Sequence, residues 1–503
     1  MLSRKTIICG WLGLLAGLAS AAPAVQLPVE AFELKNGLQV ILVPRHETPV
    51  IYSLIRYRVG SANEHEGITG ISHMLEHMMF KGTREIQTTN YEAELSIMEK
   101  QDALFQRILD LRQKILRGED DDTTRKEIGD LQLQIKGLNR TQKLVTIQND
   151  LDVATFRVGF ARLGADTSFD RTHYMEYFPA NCLEAWAYFE SARMREPVFR
   201  EYYSERDVVS EERRQTTETQ PAAVLFERFL ATAVMAHPYH WDVIGWRSDI
   251  ENWTRDDVRN YHRLYYAPNN AIVVLVGDFD ISEAKQLIHK YFGKIPSQHI
   301  TKPLAMTQEP EPLGEKRLLV HLEAAPRLIL GYPRCQANHP DYPLFRLLDA
   351  LLTHGRNSRL YQRLIRGQMA VSVETGIWEM KRYPGLFTIT AVAGSDTPLP
   401  RLEAAIIEEL EKLKETPVSD EELAMARSAL TGQLLQQLYH PESMAVVLAE
   451  SEDLFGSPLA FNDYLDALSR ATPADIQRLA RLWLKAKHRT VAWLVPPDKE
   501  DQP

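Results

Sequence analysis

Near the start of the chain two β-rich runs, Phe32-Glu33-Leu34 and Leu38-Gln39-Val40-Ile41-Leu42-Val43, flank Lys35-Asn36-Gly37. Asn-Gly between two such runs predicts a β-hairpin. Ile51 to Val59 predicts a further strand. A helix is expected from about Thr69, carrying Ile71, His73, Met74, Glu76, His77 and Met78.

Residues 91–150 follow a different pattern. Leu104, Ile108, Leu111 and Ile115 recur every three to four positions, as do Ile128, Leu131, Ile135 and Leu138, with the polar run Gly118-Glu119-Asp120-Asp121-Asp122 between them. That is the period of two amphipathic helices joined by a solvated turn, an antiparallel helical hairpin. The apolar seam is narrow, so a protruding arm is expected, not part of a thick core.

The ends of the two halves of the chain repeat one another. Thr254-Arg255-Asp256-Asp257-Val258 leads through Leu264-Tyr265-Tyr266 to Ile272-Val273-Val274-Leu275-Val276. At one constant offset, Thr472-Pro473-Ala474-Asp475-Ile476 leads through Leu482-Trp483-Leu484 to Thr490-Val491-Ala492-Trp493-Leu494. Both copies open on Thr-x-x-Asp, a helix-capping pattern, and close on a β-branched and aromatic strand. The expected fold class is α+β, two similar α/β halves with antiparallel-rich sheets flanked by helices. The first half spans 22–295 and carries the arm; a proline-containing linker covers 296–316, and the second half spans 317–503.

Composition narrows the function. The 503 residues are 44% hydrophobic and 25% charged, with a net charge of −10, as in a soluble globular protein. An acidic chain without a basic block does not suit nucleic acid or anionic lipid. Residues 1–21 read as a signal peptide: Arg4 and Lys5, an apolar stretch from Ile7 to Leu18, then Ala19-Ser20-Ala21. The mature chain is thus expected in the periplasm or outside the cell, cleaved near Ala21 and without a membrane span. It would keep Cys182 and Cys335, which could pair in an oxidising compartment or stay as two buried thiols.

The chemistry is concentrated in Gly70-Ile71-Ser72-His73-Met74-Leu75-Glu76-His77-Met78-Met79-Phe80-Lys81-Gly82-Thr83. Residues four apart on a helix share a face, so His73 and His77 can converge on one Zn²⁺. Glu76 then stands beside the metal, where it can accept a proton from water. The spacing is that of the inverted zinc-peptidase motif H-x-x-E-H. A third ligand is sought in Ser204-Glu205-Arg206-Asp207-Val208-Val209-Ser210-Glu211-Glu212-Arg213. Glu205 and Glu212 lie two turns apart on one face. Glu212 is expected to bind the metal and Glu205 to orient a histidine, with Glu211 as the fallback ligand.

The runs Gly67 to Thr83, Thr167-Ser168-Phe169-Asp170-Arg171-Thr172-His173-Tyr174 and Glu205 to Glu212 resemble the M16 metallopeptidases, the family of pitrilysin, insulysin and mitochondrial processing peptidase. The resemblance implies one Zn²⁺ per chain on His73, His77 and Glu212, with Glu76 as general base. It implies duplicated α/β halves forming half of a clamshell that admits unfolded peptides. It also implies that a substrate strand adds to a sheet edge near Leu163 to Ser168.

Three features depart from the family pattern. The interval between His77 and Glu212 is long, and the arm accounts for the excess. Gly164-Ala165 stand where the family often has Asn-Ala, so a substrate-holding amide is missing. In Ser358 to Val373, Arg363 and Arg366 match substrate-binding positions, but Val371 replaces an expected Tyr. Valine offers no donor to a developing oxyanion. The resemblance therefore implies a dimer, a homodimer or a heterodimer with a family member that carries Arg and Tyr. The primary reading is an exported zinc endopeptidase; the alternative is a non-catalytic peptide-binding or assembly subunit.

Overall fold

The computed structural model describes residues 25–147, 150–298, 307–377 and 380–497. The expected signal peptide, and 299–306 of the expected linker, lie outside the described residues. Two mixed sheets carry the fold. The first contains β1 (Glu30–Glu33), β2 (Gln39–Pro44), β3 (Val50–Tyr57), β4 (Arg162–Thr167), β5 (Thr172–Pro179) and β6 (Ala271–Gly277). The second contains β7 (Lys316–His321), β8 (Arg327–Arg334), β9 (Ala370–Ile377), β10 (Gly385–Ala393) and β11 (Thr490–Val495). Their orders are β1-β2-β6-β3-β5-β4 and β7-β11-β8-β10-β9.

The hairpin forms as expected, with Glu33 opposite Gln39. Its turn needs glycine: Gly37 has φ 85°, and a Cβ there would stand 2.6 Å from that of Asn269.

The repeat in the sequence is a repeat in topology. β6 runs parallel to β2 and antiparallel to β3; β11 runs parallel to β7 and antiparallel to β8. Each is fed by a helix, Arg255–Tyr265 or Pro473–Trp483, whose first turn closes a reciprocal capping box, Thr254 with Asp257 and Thr472 with Asp475.

The halves are bound together by an exchange of helices. The helix Pro221–Ala233 of the first half lays Leu225, Phe229 and Leu230 on Ile329, Leu386, Ala492 and Leu494 of the second sheet. The helix Pro441–Phe455 of the second half returns the contact, burying Met444, Ala445, Leu448 and Ala449 against Ile41, Leu54, Val274 and Val276. Each sheet would therefore expose an apolar face if its half stood alone.

The arm consists of helices Tyr91–Leu116 and Asp122–Gln142. It differs from the expected free-standing projection, because it lies against the first half. Phe105, Ile108 and Ile135 join the core of that half. The buried Arg255 donates to Asp102 at 2.7 Å and to the Met98 carbonyl at 2.9 Å. A narrow apolar stripe suffices here because buried ion pairs and hydrogen bonds supply the rest of the contact. Cys182 and Cys335 are buried free thiols.

Candidate metal centre

The helix Ile71–Met78 starts later than its pattern suggested because Gly70 is left-handed, φ 84°, and a Cβ there would meet the Ile244 carbonyl oxygen at 2.4 Å. Glu64 closes the helix start: its buried carboxylate accepts from the N–H groups of Gly70 and Ser72 at 2.7 and 2.8 Å. Burial pushes the Glu64 pKa up to about 8. Asp249 holds the preceding turn, accepting from the N–H groups of Gly67 and Thr69, both at 3.1 Å. Ile71, Met74, Leu75 and Met78 pin the helix to the core, which leaves His73 and His77 on its other face.

The second helix of the site, Tyr202–Arg213, buries Tyr202, Tyr203 and Val209. Arg213 anchors its end, paired with Glu227 at 2.8 Å and donating to the Gly245 carbonyl at 2.5 Å. Glu212, one residue earlier, is thereby held opposite the histidines.

The Nε2 atoms of His73 and His77 are 3.3 Å apart. Glu212 Oε1 lies 3.7 Å from His73 Nε2, and Oε2 lies 3.5 Å from His77 Nε2. Ligands of a tetrahedral zinc, each about 2.0–2.1 Å from the ion, stand about 3.3–3.4 Å from one another. The three groups thus form a triangle of suitable size, and among the described residues they are the one cluster able to hold a metal.

The protonation pattern fits as well. Burial, then the neighbouring His77, pushes the His73 pKa down to about 3, so its imidazole is neutral. His77 is lowered by burial, but the bond of its Nδ1 to Glu205 Oε1 at 3.0 Å outweighs this and raises it overall. That bond places the His77 proton on Nδ1 and turns the Nε2 lone pair toward the cluster. Glu205 is itself held by Lys81, Nζ to Oε2 2.6 Å. Burial would raise its pKa, but His77 and Lys81 bring it down to about 2.

Glu76 points beside the cluster and accepts from Thr167 Oγ1 at 2.5 Å. Burial raises its pKa despite this bond. Glu211 faces away: it is paired with Arg214 at 2.6 Å on the exposed side of the helix, so it does not serve as the fallback ligand here.

Gly164 and Ala165 lie on the edge strand β4, opposite Met175 and Tyr174, and Thr167 ends that strand. Arg363 and Arg366 are not brought to the histidines. Arg363 pairs with Glu408 at 2.8 Å and Arg366 donates to Gln362 at 3.1 Å, both on the surface of the second half. Val371 is 71% exposed on β9, the corresponding edge of the second sheet.

Three contributors escaped the sequence reading. Thr167 and Lys81 sit inside runs already singled out, so their place in the motif was the available signal. Glu64 had none, because the backbone N–H groups it accepts from, those of Gly70 and Ser72, leave no mark in the sequence. Asp170 has a further role in the fold, accepting from Tyr239 Oη at 2.6 Å and from the N–H of Lys381 at 2.7 Å, which ties the turn after β4 to the second half.

Residues 40–102 match the family model described as Insulinase (Peptidase family M16), and residues 252–430 match that described as Peptidase M16 inactive domain. The chain is 28% identical over 479 residues to the zinc protease PqqE of Helicobacter pylori, covering 93% of each protein. The crystal structure of a protease from Helicobacter pylori superposes with a TM-score of 0.77 at 27% identity, over 94% of this chain and 100% of that one. The chain belongs to peptidase family M16.

Other M16 relatives are more distant. The probable mitochondrial-processing peptidase subunit beta of Arabidopsis thaliana is 23% identical over 303 residues, 58% of this chain and 56% of that protein. The periplasmic protease PqqL from Escherichia coli shares the fold, with a TM-score of 0.69 at 18% identity, covering 95% of this chain and 48% of that one. Among the described residues of this M16 chain, no helix is long and apolar enough to cross a membrane.

Proposed function

We propose that this protein is an exported zinc-dependent endopeptidase of peptides or unfolded polypeptides, built of peptidase-type domains at 22–295 and 317–503 and working as a dimer. The observation that carries the reading is the triangle of His73, His77 and Glu212, with the Glu76 carboxyl beside it.

His73, His77 and Glu212 would hold one zinc ion per chain. Zinc there supplies a Lewis acid that polarises a peptide carbonyl and makes water acidic enough to lose a proton near neutral pH. Glu76 takes that proton and delivers it to the leaving amine. Glu205 fixes the His77 ring, and Lys81 fixes Glu205. A substrate strand would add to the edge of β4 at Gly164 and Ala165, next to Thr167 and Glu76.

A dimer is favoured because Arg363 and Arg366 lie on the surface of the second half, engaged there with Glu408 and Gln362. They would meet substrate only across an interface, with the same chain or with a family partner that also brings the missing Tyr. The apolar leader at 1–21 and the periplasmic E. coli relative support export to the periplasm. Metal content and cleavage of a quenched peptide, measured on wild type and Glu76→Gln, test the reading; zinc bound without Glu76-dependent cleavage would sink it.

One observation favours a second reading, a non-catalytic peptide-binding or assembly subunit. Val371 stands exposed where the resemblance places Tyr. In that case cleavage would stay absent when a candidate partner chain is added.

A further inference from the structure

A cavity of about 370 Å³ lies where the arm meets the first half, and five arginines, Arg84, Arg195, Arg255, Arg259 and Arg263, line it with a single carboxylate, Glu196. The first helix of the arm supplies Tyr91, Leu95 and Met98 to one wall, so the cavity exists only because the arm is there. Pro197 and Phe199, from the segment that leads into the helix Tyr202–Arg213, add further apolar surface. That segment is fixed in place. Pro197 bridges to Thr83, the Val198 N–H donates to the Gly82 carbonyl at 3.0 Å, and the Phe199 carbonyl accepts from Arg255 Nε at 3.0 Å.

The arginines are not equally committed. Arg255 holds the arm through Met98, Gln101 and Asp102. Arg195 pairs with Glu196 at 2.7 Å, and Arg259 pairs with Asp256. Arg84 and Arg263 have no carboxylate partner among the described residues. Arg84 lies over the Tyr91 ring, 5.4 Å from its centre, and Arg263 donates to Asn260 Oδ1 at 3.1 Å. Two guanidiniums thus bring uncompensated charge to one cavity, in a chain whose net charge is −10. Like charges repel unless an anion stands among them, and the guanidinium fork suits a phosphate or a carboxylate.

His262 narrows that choice. It lines the same cavity, is only 9% exposed, and its Nε2 has no hydrogen-bond partner. A backbone bond to Met194 draws the ring proton to the other nitrogen, and burial keeps the ring neutral, so Nε2 is a lone pair without a donor. A carboxylate or a sulfate ester has no proton to offer it. A phosphate monoester loses its second proton at about pH 6, so it carries negative oxygens for the guanidiniums and an O–H for the imidazole.

We propose that this cavity binds a small phosphate monoester with an apolar body. Its phosphoryl oxygens are held by Arg84 and Arg263, its acidic proton is shared with His262 Nε2, and its body lies on Tyr91, Pro197 and Phe199. None of these residues belongs to the candidate metal centre, so the site stands or falls apart from the peptidase reading.

Isothermal titration calorimetry of the full chain with phenyl phosphate, phenyl sulfate and inorganic phosphate tests this. Phenyl phosphate should bind at one site per chain. Phenyl sulfate has the same shape without the proton and should bind about tenfold more weakly. Inorganic phosphate lacks the ring and should also lose about tenfold. Arg84→Gln and Arg263→Gln, both at exposed positions, should each weaken phenyl phosphate about tenfold or more. His262→Gln should erase the preference for phosphate over sulfate; the wild-type ratio of the two esters decides the same point if that variant does not fold. Equal affinity for the two esters, or phosphate binding that survives both arginine substitutions as an anion at the metal centre would, overturns the site. A phosphotyrosine peptide that binds more tightly than phenyl phosphate overturns the small-molecule ligand in favour of a modified protein.

Discussion

Asp453, on the helix that the second half lays across the first sheet, holds its carboxylate 2.8 Å from the guanidinium of Arg56 on β3. Arg58 and Arg382 approach the same carboxylate at 2.9 and 2.7 Å, and Asp453 has no exposed side-chain surface. Burial alone would raise its pKa; the three guanidiniums overcome this and hold it well below the usual carboxylate range. Because Arg56 and Arg58 come from the first half, this knot joins the halves near the C-terminal end of the exchanged helix. Asp453→Asn should leave buried cations unpaired and cost about 3–5 kcal/mol. Urea unfolding followed by tryptophan fluorescence measures this, and an unchanged midpoint would show the knot to be dispensable.

Glu76→Gln keeps the shape of the side chain and removes the proposed proton acceptor. Peptide cleavage should fall by about 10²–10⁴-fold while the bound zinc stays the same. A loss of zinc along with activity would mean that Glu76 serves the metal and not the proton.

The two glutamates on the second helix should separate in a chelator competition. Glu212→Ala removes the proposed third ligand and should abolish tight zinc binding. Glu205→Gln, which loosens the His77 ring, should weaken it by about 10–100-fold. Glu211→Ala should change nothing, since Glu211 is engaged with Arg214 on the exposed face.

Acid should destabilise the metal-free protein through buried histidines. Burial, with Arg171 adding to it, pushes His173 down to about 3, and burial pushes His237 and His262 down to about 4. The unfolded chain takes up these protons from about pH 6.5 downward, whereas the folded chain does not. The stabilisation is therefore present above about pH 6.5 and is lost as the pH falls toward 4 and 3. Glu64, raised to about 8, acts in the opposite sense: its contribution is full below about pH 4.5 and is lost as the pH rises through 8. Unfolding free energies measured from pH 4 to 6 should lose about 1.4 kcal/mol per pH unit of slope in His173→Gln. An unaltered slope would mean that His173 titrates normally.

Gly164 tests the departure on the substrate edge. A Cβ added there meets nothing within 4 Å, so Gly164→Asn should shift stability by no more than about 0.5 kcal/mol. If the edge binds substrate, the added amide should lower KM for peptides. An unchanged KM with intact folding would place the substrate elsewhere.

Much of this protein was legible from local pattern. The Asn36-Gly37 hairpin, the two helices of the arm and the repeated cap, helix and strand all follow from rules that act over a few residues. So does the pairing of His73 with His77, because one helical turn sets their spacing. The Glu205–Glu212 spacing told that both share a face, but not which way that face looks. Glu211 and Glu212 were separated only once Arg213 and Arg214 had found their partners.

What the sequence determined by itself were the elements, the duplication and the residue types of the candidate metal centre, since these depend on periodicity and short motifs. Only the tertiary structure decided that the arm lies against the first half and closes a cavity, that each half covers the sheet of the other, and that Glu64 and Lys81 support the site. Those outcomes depend on contacts between residues far apart in the chain, such as Glu94 with Arg200 and Asp453 with Arg56. Such pairs form where burial makes an unpaired charge too costly, and no pattern along the chain records which partner will be near.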